Sequence, residues 1–274
     1  MTTDIQNFRL YKKALEYFGD LREARLRSSE ELEQLRQQTD ALFVLNPYDF
    51  DCPEETAFWH VIQDRCPDIE EYSKSMRKNI RRSLKEYTYQ PITIDTMLQD
   101  GYRVYCEAFA RYGTQPPLSE EEYKADINQK AAGDRHYEFW GGYHIETGEL
   151  AMWEEMIVFP GYAVMSAEKL SNRFTQGNPT YGLNFALIEE YIGKRKLDFI
   201  DAGARTLSRH SQVQDFLCDK FMFRKGYCRL QLHMAPRLRF AVKVLYPLRK
   251  LSLLPGKVKQ LLRLYQYSKE SEKK

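Results

Sequence analysis

Asp201-Ala202-Gly203-Ala204-Arg205 is the segment of this 274-residue chain best placed to do chemistry. A short apolar run, Leu197 to Asp201, precedes it and a helix-forming stretch follows. Loops between a strand and a helix are where mixed α/β proteins keep reactive side chains. Asp201, at the strand's carboxyl end, and His210, just before the helix, are candidate proton acceptors. The plainer readings are that Asp201 holds its own loop and that His210 is a surface residue. Glu154 and Glu155 lie in one strand on opposite faces, so one of them, taken here as Glu155, can face a cleft as a base. Tyr181 and Asn184 fall in the first turn of a helix whose free N–H groups could hold an anionic donor. Arg205, Lys220, Arg224 and Lys225 could bind phosphate oxygens. Capping, packing and a solvated charged face are the competing readings of these six. Together the candidates suit acyl transfer to an amine, which needs a nucleophile, a polarised carbonyl and close positioning.

The elements that would hold these residues can be read from periodicity. A charged helical stretch over 11–39 and a short strand, Ala41 to Leu45, ended by Asn46-Pro47, open the chain. A helix over about 70–86 carries Met76, Ile80 and Leu84 on one narrow stripe, with Arg77, Lys78, Arg81, Arg82 and Lys85 around it. Tyr87 to Ile94 is strand-like, and helices follow over 96–112 and 119–132, the second with a Ser119–Glu122 capping box. From Phe139 the period becomes that of strands: 139–145, 150–158 and 162–168, joined by Glu146-Thr147-Gly148-Glu149 and Pro160-Gly161. Asn178-Pro179 opens a helix that is apolar nearly all round and that Gly193 should stop. After the 197–201 strand, a Ser211–Gln214 capping box starts a helix bearing Val213, Phe216, Leu217 and Phe221, and 227–234 is a final strand. Three divisions are expected: an amino-terminal segment (1–67), a central α/β body (68–235) and a basic tail (236–274).

This order resembles the GNAT acyltransferase fold, and more closely its FemAB-like branch, over about 72–234. Ser75-Met76-Arg77-Lys78-Asn79-Ile80-Arg81-Arg82 is similar to the branch's basic opening helix. Asn178-Pro179-Thr180-Tyr181-Gly182-Leu183-Asn184, the strand ending at Asp201, the Gly203 loop and Lys220-Phe221-Met222-Phe223-Arg224-Lys225 follow in the same order. The ordinary GNAT pyrophosphate cradle is absent: Arg173-Phe174-Thr175-Gln176-Gly177-Asn178 has its arginine and glycine at another spacing. The resemblance implies a mixed α/β fold with an antiparallel meander followed by a crossover helix. It also implies an N-acyltransferase whose donor is acyl-CoA or a charged tRNA. The acceptor would be a small or lipid-linked amine, as in cell-envelope or surface-polysaccharide synthesis.

Composition narrows the alternatives. With 41 Lys and Arg against 39 Asp and Glu, the chain as a whole is neither a polycation nor an acidic tail. Aromatics at 14% argue for a packed core. Five widely spaced cysteines without a CxxC pair, and His60, His136, His144 and His233 without ligand spacing, give no reason to expect disulfides or a metal. Met1-Thr2-Thr3-Asp4 begins no apolar leader, and no apolar run approaches the roughly 18 residues of a membrane span, so a cytoplasmic chain is expected. In the tail, Arg237, Arg239, Lys243, Arg249, Lys250, Lys257, Lys259 and Arg263 stand among apolar residues before the first acid, Glu270. A non-catalytic module is therefore the rival reading, with the tail on an anionic membrane or the basic helix on RNA. An enzyme should leave Tyr181, Asn184, Asp201 and Arg205 lining an open tunnel; a scaffold should satisfy them locally.

Overall fold

In the computed structural model, residues 4–5, 7–11, 13–112, 116–205, 212–249 and 253–272 are described. The opening differs from its charged composition. Strands β1 (Asp4–Ile5), β2 (Phe8–Tyr11) and β3 (Ala14–Tyr17) precede helix α1 (Ser29–Gln38), where the sequence suggests one helix over 11–39. Phe8 and Leu15 pack with Leu32 and Leu35 of α1, so four apolar side chains outweigh the charge density around them. β4 (Phe43–Tyr48) continues through Asn46-Pro47. Its pairing with β3 stops at Leu45, so Pro47 withholds no N–H that the ladder with β3 needs.

β5 (Phe58–Gln63) leads to α2 (Lys74–Glu86), capped by the Ser73 hydroxyl. α2 buries Met76, Ile80 and Ser83 and leaves Leu84 exposed, a stripe rotated from the expected one. β6 (Tyr87–Ile92) is followed by α3 (Ile94–Thr96), which runs through a π turn (Met97–Gly101) into α4 (Tyr102–Tyr112). α5 (Glu120–Ala132) has the predicted Ser119–Glu122 capping box. The meander is β7 (His136–His144), β8 (Leu150–Phe159) and β9 (Tyr162–Leu170). α6 (Pro179–Ile188) continues as a π segment (Glu189–Lys194) that contains Gly193; the reversal comes at Lys196, with φ +58°. β10 (Phe199–Ala204), α7 (Gln212–Phe221), β11 (Arg224–Met234), α8 (Pro236–Leu245) and α9 (Gly256–Ser271) complete the chain.

Two compact units result: Met1–His60 with Ala204–Val213 and Lys225–Lys274, and Val61–Gly203 with Gln214–Arg224. This division cuts across the one expected from sequence, because the tail and most of β11 group with the amino-terminal residues. In the first unit the strand order is β1-β2-β3-β4-β11, with β3 and β4 parallel and β4 and β11 antiparallel. α9 lies along β11: the Ser271 and Ser268 hydroxyls accept the Leu230 and Leu232 N–H groups at 3.0 and 3.2 Å. In the second unit the order is β10-β9-β8-β7-β6, antiparallel from β6 to β9, with β10 parallel to β9. α6 is the crossover between those parallel strands, as parallel pairing demands. This is the mixed sheet with meander and crossover helix that the sequence predicts.

Candidate functional site: a carboxylate pair beside parting strands

β9 and β10 pair only from Tyr162–Phe199 to Val164–Asp201. Beyond Val164, β9 keeps β8 on one side and, among the described residues, pairs with no strand on the other. Opposite this opening β9 is bulged. Met156 pairs with Met165 but Glu155 pairs with Ala167, leaving Ser166 as the extra residue. The bulge sets Glu168 directly across from Glu154. Trp140 is the other cross-strand neighbour of Glu154, and its indole N–H bonds Tyr191 of the α6 continuation, so this face of the sheet is the one α6 covers.

Glu154 is buried and its Oε2 has no hydrogen-bond partner. Burial, then the neighbouring Glu168 charge, holds its pKa well above the ordinary carboxylate value, against the opposing pull of Lys169. Burial likewise pushes Glu168 up to about 7, with Lys169 opposing. Burial lowers the pKa of Lys169. Glu154 and Glu168 thus face each other across paired strands as two carboxyls whose protonated form burial favours, and Glu168 becomes a free base as pH rises through about 7.

Glu155 points to the opposite face, where Lys130 of α5 holds it at 2.7 Å. Asp201 is buried and accepts the Gly203 N–H at 2.8 Å, and Gly203 takes the left-handed φ of +94° that this tight turn requires. The Tyr181 ring packs edge-on to Phe216 and against Phe221. Asn184 donates to Thr180 O at 2.9 Å and keeps a buried Oδ1 without a partner. Arg224 binds Asp64 at 2.6 Å, and Lys220 is exposed. In the other unit, Arg205 bonds Ala57 O at 2.6 Å and stacks over Tyr267 and Trp59, with Lys225 over the same Trp59. His210 and the Ser211 cap lie outside the described residues. Local partners thus hold Tyr181, Asp201 and Arg205, as the scaffold reading expects of them, and Arg224 as well, whereas Asn184 of that set and Glu154 each keep a buried unpaired oxygen.

The first turn of α6 is not left open. Ser83 of α2 accepts the Gly182 N–H at 3.1 Å and donates to Asn178 O at 2.9 Å. Tyr89 bonds Pro179 O at 2.8 Å, and its ring lies where a Gly182 Cβ would stand. An anion-binding role for that turn must therefore displace Ser83. A second cationic place is the outer face of α2, where Lys74, Arg77, Lys78, Arg81, Arg82 and Lys85 line a shallow groove of about 910 Å³. Glu70 pairs with Arg77 and Arg81, and Glu86 with Arg82. Lys74, Lys78 and Lys85 are exposed and form no ion pair among the described residues.

Asp49, Cys52 and Glu54 place possible ligand atoms within 4.8 Å of one another. Arg229 already neutralises that cluster, at 3.0 Å from Asp49 and 3.9 Å from Glu54, and burial raises the Cys52 thiol pKa, so the group does not suit a cation.

No protein-family model matches the chain, and no curated protein matches it in sequence. Solved structures do. The C-terminal DUF2156 domain of a protein assigned as a lysylphosphatidylglycerol synthetase from Agrobacterium fabrum superposes with a TM-score of 0.54 at 10% identity, over 87% of this chain and 84% of that one. FemX gives 0.54 at 9% identity over 86% and 85%. L-PGS from Bacillus licheniformis gives 0.51 at 14% identity over 94% and 84%. With its meander, crossover helix and parting parallel strands, the chain has a mixed α/β fold similar to that of FemX and of these synthetase structures.

Proposed function

We propose that the protein is a transferase moving an acyl or aminoacyl group from an ester or thioester donor to a primary amine. The observation that carries this reading is the Glu154–Glu168 pair of facing carboxyls, both with raised pKa, on the sheet face that α6 covers, beside the place where β9 and β10 part. In the reaction the amine nitrogen loses a proton to the pair as it attacks the donor carbonyl. A nitrogen–carbon bond forms, the carbon–oxygen or carbon–sulfur bond breaks, and the departing alkoxide or thiolate takes the proton back. The stretch of β9 past Val164, which has no β10 partner, is where backbone N–H groups would polarise the carbonyl. The donor is acyl-CoA or a charged tRNA, both phosphate-rich, and the cationic groove of α2 suits either. The acceptor is a small or lipid-linked amine; the name of the Agrobacterium fabrum domain couples a lysyl group to a lipid, which supports the lipid-linked choice. Transfer assays with acyl-CoAs and with charged tRNA, on the wild type and on Glu168→Gln, test the proposal. Product from one donor class that the variant fails to make supports it, and equal product from both proteins sinks it.

The rival reading, a non-catalytic module, draws support from the local satisfaction of Tyr181, Asp201 and Arg205. It leaves the cost of burying Glu154 without an explanation.

A further inference from the structure

α8 has two apolar faces. Leu238, Val242 and Leu245 pack inward with Met234 and Leu262. On the other side Phe240 is 71% exposed and Val244, four residues on, 56%; Leu248, in the 3-10 turn Tyr246–Leu248 that follows the helix, is 46% exposed. A helix needs one apolar stripe to dock on its own body, and a second row of this size on the solvent side marks a contact surface. The charged side chains that α8 itself carries are all cationic, although Glu30 and Glu33 of α1 line a groove with Pro236 and Arg239. Arg237, Arg239 and Lys243 are exposed and form no ion pair among the described residues, and from Ala235 to Lys269 the sequence has no acidic residue.

We propose that this face of α8, continued through Leu248, rests on an anionic lipid bilayer. Phe240, Val244 and Leu248 enter the boundary between headgroups and acyl chains, and Arg237, Arg239 and Lys243 meet the headgroup phosphates. The charge pattern selects this occupant over a second copy of the chain. A two-fold contact would bring the same three cations against themselves, and three apolar side chains are too few for a stable dimer. The sequence alone offered the whole tail to an anionic membrane; the structure divides it, with α9 along β11 and the outer row of α8 exposed. No helix among the described residues is long and apolar enough to cross a membrane, so the contact is peripheral.

Co-sedimentation of the full chain with phosphatidylcholine vesicles, with and without phosphatidylglycerol as about a third of the lipid, tests this. Binding to the anionic vesicles is expected, with a dissociation constant at least about ten-fold tighter than for the neutral ones, since each of three cations contributes severalfold. F240S/V244S should weaken it by about ten-fold or more, and R237A/R239A/K243A should erase the preference for anionic lipid. All five positions are exposed, so the variants should melt like the wild type, which circular dichroism checks. Equal sedimentation with both vesicle types overturns the proposal, as does binding that either variant leaves unchanged or no binding by a folded wild type. A concentration-dependent dimer that F240S/V244S dissolves would assign the face to self-association instead.

Discussion

Glu168→Gln keeps the shape of the side chain and removes its capacity to accept a proton. Transfer should fall by about 100-fold or more in kcat, in line with the usual contribution of a general base. In the wild type, kcat should rise with pH through about 7 as Glu168 loses its proton and becomes free to accept that of the amine, and that rise should be missing from the variant's pH–rate profile. Stability moves the other way. The folded state binds this proton more tightly than the unfolded chain, whose carboxyl titrates near 4.5. The favourable contribution is therefore full below about pH 4.5 and is lost as pH rises through about 7. A Tm series across that window should decline, and less steeply in Glu168→Gln. Glu154 was legible as a candidate beside Glu155, but its partner was not. Counting back from the Pro160-Gly161 turn puts Ala167 opposite Glu154, and only the extra residue Ser166 moves Glu168 there. A bulge leaves little trace in a single sequence because it depends on what packs on both faces.

Between elements, the contact of α2 with α6 is the joint on which the sheet face depends. Ser83 touches Gly182, Asn178 and Tyr89 through one hydroxyl. Ser83→Ala removes the side-chain acceptor of the buried Gly182 N–H and one of the donors to Asn178 O, and should cost about 1–3 kcal/mol in urea unfolding. Gly182→Ala drives a methyl group into the Tyr89 ring and should cost on the order of 1–3 kcal/mol or shift α6. The meander from β7 to β9 was legible because alternation and two clear turn sequences agree there. The first three strands were not, being at most four residues long and set among charges. The α6 anion site read from sequence misses Ser83, which lies about a hundred residues away along the chain; no local pattern announces such a cap.

For the molecule as a whole, a net charge of +2 conceals two cation-rich places, the α2 groove and the carboxyl-terminal forty residues. If the donor is a charged tRNA, its binding should weaken steeply with salt. Lys74→Ala, Lys78→Ala and Lys85→Ala together should flatten the slope of log K against log salt by about one unit for each phosphate no longer neutralised. Fluorescence anisotropy over a salt series reads this directly. The basic tail was legible as a composition, but its division of labour was not, because a run of cations and leucines does not say which side of a helix the protein needs. That division bears on how such a chain can change over generations. The two serines of α9 serve as a surrogate strand for β11, and Leu264 and Tyr267 complete the core behind Phe58 and Leu230. A premature stop that removed the tail would strip two β11 N–H groups of their acceptors and open that core, so the lineage cannot shed its outer α8 surface by truncation. It can lose or retune that surface only one exposed side chain at a time, at positions such as 240 and 244 where drift is otherwise free.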